Sequence, residues 1–175
     1  MTNQIKTIAL YGVGAVLFLG VIVYLGTAGQ KNSGVSAGAS EFSASALHVV
    51  GDTNFDFGTI SMANGRVNHE FNVVNDGNEP VHIYKVYTTC MCTTATIIDE
   101  AGNELGKFGM PGHGGASSAA DITVAPGKKV KVTAIFDPAA HGPSGVGLAQ
   151  RSVYLETNSQ KFPKVVFDFQ AMVTQ

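Results

Sequence analysis

From Val67 onward, apolar and polar residues alternate with a period of two. Val67, His69, Phe71 and Val73 share one face, with Asn68, Glu70 and Asn72 on the other, the repeat of a half-buried β-strand. The stretch Asn75-Asp76-Gly77-Asn78-Glu79-Pro80 then reads as a turn, with Asp-Gly expected to supply a positive φ. A strand through Val81, Ile83 and Val86 follows; its apolar spacing slips from two to three, which predicts a bulge or twist. Thr93 to Ile98 is a further β-branched run. Val130, Val132, Ala134 and Phe136 alternate with Lys129, Lys131, Thr133 and Ile135, and Val153, Leu155 and Thr157 with Ser152, Tyr154 and Glu156. Val165, Phe167, Phe169, Ala171 and Val173 form the cleanest stripe, opposite Lys164, Asp168 and Gln170. With a first strand around Thr53 to Phe57, about seven strands are expected, and no long amphipathic helix lies among them. The pattern predicts an all-β fold, an antiparallel β-sandwich, with Phe55, Phe57, Phe71, Phe136, Phe167 and Phe169 suited to its core.

The first 46 residues follow a different pattern. Ile8 to Leu25 carries no charge over 18 residues, enough to cross a bilayer core of ~30 Å at about 1.5 Å per residue. Lys6 precedes the run and Lys31 follows it, which favours a cytoplasmic N-terminus and an exported remainder. A cleaved signal peptide is the competing reading: its apolar region is normally ~7–15 residues, yet Thr27-Ala28-Gly29 and Ser43-Ala44-Ser45-Ala46 both offer small residues for cleavage. No cysteine follows the run to carry a lipid. Thr27 to Ala46 is mostly Gly, Ala and Ser, a flexible tether spanning roughly 25 Å root-mean-square. The expected organisation is therefore a cytoplasmic N-terminus at 1–7, a transmembrane helix at 8–25, a linker at 26–46 and a sandwich domain at 47–175.

Composition narrows the partners. Charged residues make up 14% of the chain and the formal net charge is -2. The basic cluster Lys128, Lys129 and Lys131 reads as a solvated strand edge, so nucleic acid is not an expected partner. Membrane contact through the N-terminal helix and a protein or cell-envelope partner are the expected associations. No Gly-x-Ser-x-Gly elbow, phosphate-binding loop or His-Glu-x-x-His motif is present, and an enzyme is not expected. His48, His69 and His82 read as surface or semi-buried strand residues, and Asp99, Glu100 and Glu104 as solvated charge. Two Gly-rich segments, Asp99 to Ala120 and Pro138 to Ala149, read as long loops.

Both cysteines lie in Thr88-Thr89-Cys90-Met91-Cys92-Thr93-Thr94. On an extended strand, positions i and i+2 face the same way about 6.5 Å apart, so a disulfide between Cys90 and Cys92 requires a bulge or turn. Two reduced, partly buried thiols packed beside threonines are the reading these residues favour. Two thiolates on one face also suit a soft ion such as Cu(I), with Met110 and His113 as candidate further ligands and His141 as a third. A thiol-redox role for the pair, or a catalytic Cys–His pair using His113 or His141, completes the alternatives. No obligate cofactor is expected.

Several phrases together resemble a bacterial family. They are Phe55-Asp56-Phe57-Gly58-Thr59-Ile60, then Phe71-x-Val73-x-Asn75-x-Gly77-x-x-Pro80, then Ile83-x-x-Val86 leading to Cys90-x-Cys92-Thr93. Val124-Ala125-Pro126-Gly127, Val130-x-Val132, Phe136-Asp137-Pro138 and Val153-x-Leu155-x-Thr157-Asn158 before Pro163 continue the series. This resembles the DUF1573 family of exported proteins, and is similar to the wider ASH, major-sperm-protein and PapD-like group. The resemblance spans roughly Thr53 to Val173 and implies an immunoglobulin-like sandwich with no activity attached. The family's usual Cys-Gly-Cys stands here as Cys90-Met91-Cys92. The combined expectation is a tethered, extracytoplasmic binding or structural module. The alternative is a Cu(I)-binding or thiol-redox protein centred on the cysteines.

Overall fold

The computed structural model describes residues 42–113 and 117–175. Ten strands follow in chain order: β1 (Leu47–Val50), β2 (Asn54–Ser61), β3 (Val67–Asn75), β4 (Val81–Thr88), β5 (Thr93–Asp99), β6 (Glu104–Phe108), β7 (Ala119–Val124), β8 (Lys129–Phe136), β9 (Gly147–Thr157) and β10 (Lys164–Thr174). They form two five-stranded sheets, ordered β1-β3-β8-β5-β6 and β2-β10-β9-β4-β7. The expected stripes face the core: Val130, Val132, Ala134 and Phe136 are all buried, as are Val165, Phe167, Phe169, Ala171 and Val173. Burying one face of each sheet against the other is the driving term, at about 25 cal/mol per Å² of apolar surface. The slip between Ile83 and Val86 is a bulge, for the β4 register shifts between Ile83 and Lys85 against both neighbours.

Several expectations need correction, first the strand count: ten among the described residues against about seven expected, the additional ones being β1, β6 and β7. The sandwich is not wholly antiparallel, because β2 pairs with β10 in parallel, with Phe55 opposite Phe169. Alternation looks the same whichever way a strand runs, so the pattern carries no sense of direction. The segment 99–120 is not one long loop: it holds β6 and the start of β7. A turn closed by Asp99, whose Oδ1 accepts the Ala101 and Asn103 N–H groups at 2.9 and 2.8 Å, folds β6 back on β5. The Asn103 side chain, followed by its backbone N–H, holds the Asp99 carboxyl below its ordinary range. Glu104–Phe108 is too short and too polar for alternation to reveal it. Pro138–Ala149 is similarly structured, with a 3-10 turn at Gly142–Gly145 and the start of β9 at Gly147. Of the basic cluster, Lys128 pairs with Glu100 and Lys131 with Glu70.

Gly77 is required for a different reason than expected. Its φ is not positive; a Cβ there would overlap the Ser45 side chain. Ser45 belongs to a segment fastened to the sandwich, for Ser43 N–H donates to Asn158 O at 2.8 Å and Gln160 N–H to Ser43 O at 2.9 Å. Ser43 is 0% exposed. Residues 43–46, placed in the linker by composition, therefore pack on the domain. The expected cytoplasmic segment 1–7, the expected anchor 8–25 and the expected linker up to residue 41 lie outside the described residues. Among the described residues no helix is long and apolar enough to cross a membrane.

His69 points into an aromatic ladder between the sheets. Its ring stacks on Phe55 at 3.6 Å and meets Phe71 edge-on at 4.7 Å. Burial pushes its pKa below the ordinary histidine value, opposed by the charge of Glu70. The folded chain thus prefers the neutral ring, and its contribution to stability is complete above the unfolded value of about 6.5. That contribution declines as pH falls through 6.5 toward the folded pKa. Urea midpoints measured from pH 7.5 to 5.5 are expected to fall for the wild type and to flatten for His69→Phe. Equal slopes for both proteins would show that His69 has no part in it.

Candidate functional site

Cys90 and Cys92 sit on the turn that carries the chain from β4 in one sheet to β5 in the other. Thr93 N–H donates to Cys90 O at 3.0 Å, and the buried Thr88 hydroxyl reaches Cys90 O at 3.1 Å and Thr93 O at 3.0 Å. Thr89 ties the turn to β9: its N–H donates to Ser152 O, and its Oγ1 accepts Ser152 N–H at 3.0 Å. The threonines thus curl a segment that the extended-strand reading left open. The Cα atoms lie 5.2 Å apart and the sulfurs form a disulfide, in place of two separate packed thiols. Met91 projects from the tip, 53% exposed.

Each sulfur has its own donor, delivered from far along the chain. His141 Nε2 lies 3.1 Å from Cys90 Sγ. Neither sulfur of a disulfide carries a proton, so the imidazole N–H must donate there. Arg151 Nε donates to Cys92 Sγ at 3.1 Å. Cys92 is 3% exposed, whereas Cys90 is half-buried. Cys90 Sγ also accepts the Cys92 N–H at 3.4 Å, and Cys92 Sγ lies 3.8 Å from Thr93 Oγ1. Burial lowers the Arg151 pKa, yet a guanidinium keeps its charge at neutral pH. Arg151 also lies over the Phe136 ring at 5.9 Å and donates through Nη1 to Gln150 O.

His141 is placed by the segment after β8. Asp137 N–H donates to Cys92 O at 2.8 Å, which brings that segment against the cysteine turn, and Gly142 N–H closes on Ala139 O. Gly145 permits the close fold: a Cβ there would sit 3.2 Å from His141 Cβ and 3.3 Å from Met62 Cε. The potential ligand atoms of Cys90, Cys92 and His141 lie within 4.8 Å of one another. Of the other two candidates, His113 does not join them. His113 is exposed on a turn in which its N–H bonds Met110 O at 3.2 Å, and Met110 is half-buried two residues beyond β6. Sequence reasoning did not name Arg151, although a signal was present. It shares the phase of Ala149, Val153 and Leu155, so an arginine occupies an inward position of an alternating strand.

The disulfide closes a loop with sequence separation 2. Chain entropy assigns such a loop roughly 1.6 kcal/mol, against about 3 kcal/mol for fifteen residues. Reduction is expected to lower the unfolding free energy by no more than about 2 kcal/mol, measured by urea titration with and without reductant. A larger loss would mark the bond as a structural staple.

Beside the turn, a cleft of about 730 Å³ opens along β2, β10 and β9. Asn54, Asp56, Gln150, Ser152, Asp168 and Gln170 line it, and Thr89 and Arg151 bound its cysteine side. Its polar groups hold one another in place: Ser152 Oγ donates to Asp168 Oδ1 at 2.5 Å and Gln170 Nε2 to Asp56 Oδ2 at 2.8 Å. The Gln170 bond, then the Gly58 N–H, lowers the Asp56 pKa.

Two stacked five-stranded sheets joined by a crossover turn form a β-sandwich. The sequence profile of the family described as "Protein of unknown function (DUF1573)" matches residues 49–107, and the resemblance drawn from the residue phrases stands there. The fold is similar to a protein of unknown function from Porphyromonas gingivalis W83, at 14% identity and a TM-score of 0.53, over 75% of this chain and 49% of that one. This chain therefore spans about half the length of that relative. Other similar structures are the Vibrio cholerae VesB protease (14% identity, TM-score 0.45, 74% of this chain and 32% of that one) and the ASH/PapD-like domain 7 of human CEP192 (14%, 0.44, 77% and 88%). No curated protein matches the sequence.

Proposed function

We propose that this chain is a membrane-tethered binding module that works outside the cytoplasm and holds a protein or envelope component in the cleft along β2, β10 and β9. The observation that supports this is the cleft itself. Its amide, hydroxyl and carboxylate side chains are pre-arranged by hydrogen bonds to one another on a rigid sheet face. Such a surface offers donors and acceptors to an extended chain or a polar polymer with little ordering cost. The uncharged run at 8–25 supports a tether, and its flanking lysines support export of the domain. Crosslinking in intact cells, followed by mass spectrometry, tests the assignment. Gln150→Arg and Asn54→Arg, which fill the cleft from exposed positions, are expected to reduce partner recovery at least tenfold with the circular dichroism unchanged. Recovery of every wild-type partner by both variants would refute the cleft as the binding surface. Protection of the domain from protease added on the cytoplasmic side tests the topology.

A second reading rests on the gathering of Cys90, Cys92 and His141. Once reduced, they offer two thiolates and an imidazole, a donor set suited to Cu(I). Cu(I) competition titration is expected to show tighter binding by reduced wild type than by Cys90→Ser/Cys92→Ser. Weakening by His141→Ala but not by His113→Ala would assign the third ligand.

A further inference from the structure

The geometry points to a thiol–disulfide exchange centre at Cys90–Cys92 in which Cys90 is the sulfur attacked and Arg151 holds the Cys92 thiolate that leaves. The two sulfurs are unequal in the ways exchange requires. Cys90 Sγ lies at a half-buried residue next to an exposed tip, whereas Cys92 is enclosed. An incoming thiolate therefore reaches Cys90 first, and access decides which sulfur is attacked. The departing sulfur needs its new charge stabilised, and Arg151 Nε already donates to Cys92 Sγ at 3.1 Å. A neighbouring cation favours the thiolate over the thiol, and charge-assisted hydrogen bonds are about twice as strong as neutral ones. Inward placement of an arginine in a core-facing strand position is costly unless its charge is used.

The chemistry balances without a metal or cofactor. A substrate thiolate attacks Cys90 Sγ, a substrate–Cys90 disulfide forms, and the Cys90–Cys92 bond breaks with its electron pair on Cys92. A second substrate thiolate then attacks the substrate sulfur of the mixed disulfide and expels Cys90 as a thiolate, toward which His141 Nε2 donates. The protons of the two substrate thiols pass to solvent. Two substrate thiols are oxidised to a disulfide and the protein pair is reduced by two electrons. A further disulfide, acting by the reverse of the same two steps, restores the oxidised protein. The substrate class is a dithiol, or a pair of thiols, on a polypeptide or small molecule.

Equilibration of the full chain in buffers of reduced and oxidised glutathione, with alkylation and mass spectrometry to count free thiols, tests the assignment. Wild type is expected to pass from oxidised to reduced within millimolar glutathione. Arg151→Gln is expected to shift that equilibrium toward the disulfide by roughly tenfold, the size of one charge-assisted hydrogen bond. Arg151→Lys, which retains a cation, is expected to shift it less. Against oxidised glutathione, Cys92→Ser is expected to form a mixed disulfide at Cys90 at least tenfold faster than Cys90→Ser does at Cys92. Wild type that stays oxidised in reduced glutathione alone would overturn the assignment. So would an equilibrium that Arg151→Gln and Arg151→Lys leave unmoved, or single-cysteine variants that react at equal rates.

Discussion

Phe167→Ala is expected to remove about 3–5 kcal/mol from the unfolding free energy, a large part of the ~5–15 kcal/mol typical of a domain. Phe167 is 0% exposed on β10. Its ring stacks on Phe71 of the opposite sheet, with centroids 4.6 Å apart and planes at 25°. Truncation removes transfer energy and leaves a cavity that the two sheets cannot collapse into without losing register. The lost stacking adds about 0.5–1.5 kcal/mol. Urea unfolding followed by circular dichroism should show a lower midpoint at an unchanged slope. Leu148→Ala, at an exposed position on β9, should change the unfolding free energy by no more than about 0.5 kcal/mol. Similar losses at the two sites would mean that Phe167 does not carry the contact between the sheets.

Asn75→Ala is expected to cost nearly as much, through hydrogen bonds rather than packing. Asn75 is 0% exposed. Its Nδ2 donates to Glu79 O and Val124 O, both at 2.8 Å, and its Oδ1 accepts Gly77 N–H at 3.1 Å. Its backbone meets the β7–β8 turn as well, through Lys128 O at 3.0 Å and Gly127 N–H at 2.7 Å. One residue thus joins two turns, each of which links the two sheets. Alanine strands two carbonyls and an amide. At roughly 1–2 kcal/mol each, the loss is about 3–6 kcal/mol. Asn75→Asp should be no milder, because a carboxylate would face the same two carbonyl oxygens without donors. Equilibrium unfolding of both variants checks this, and a loss below about 1 kcal/mol for Asn75→Ala would mean that water replaces the side chain.

Much of the fold is legible in the residue pattern. The stripes on β3, β8, β9 and β10 carry long-range information in local form, since period two with one buried face identifies a half-buried strand wherever it occurs. The Ile83–Val86 slip locates a bulge because an apolar face can skip a position only where the strand takes up an extra residue. Asn75 is legible only as a turn residue; its bond to Val124 O depends on a residue 49 positions away. Gly77 looks like a positive-φ glycine, and its true constraint is Ser45, held by packing from the far side of the turn. β6 and β7 stay hidden because short edge strands need little apolar alternation.

The Cys90–Cys92 site divides along the same line. Two thiols one residue apart, set among threonines at the junction between two strands, can be read directly from the chain, as can the need for a turn if they are to bond. The chain also carries a histidine at 141 and an arginine at an inward phase of β9. Folding adds the rest: Thr88 closes the turn, His141 rather than His113 meets Cys90, and Arg151 meets Cys92. The reason is physical. Alternation records which face a side chain takes, because burial acts on each residue separately. Which residues meet at one end of the sandwich is settled by how the sheets stack and where the crossover lands, and no local pattern encodes that.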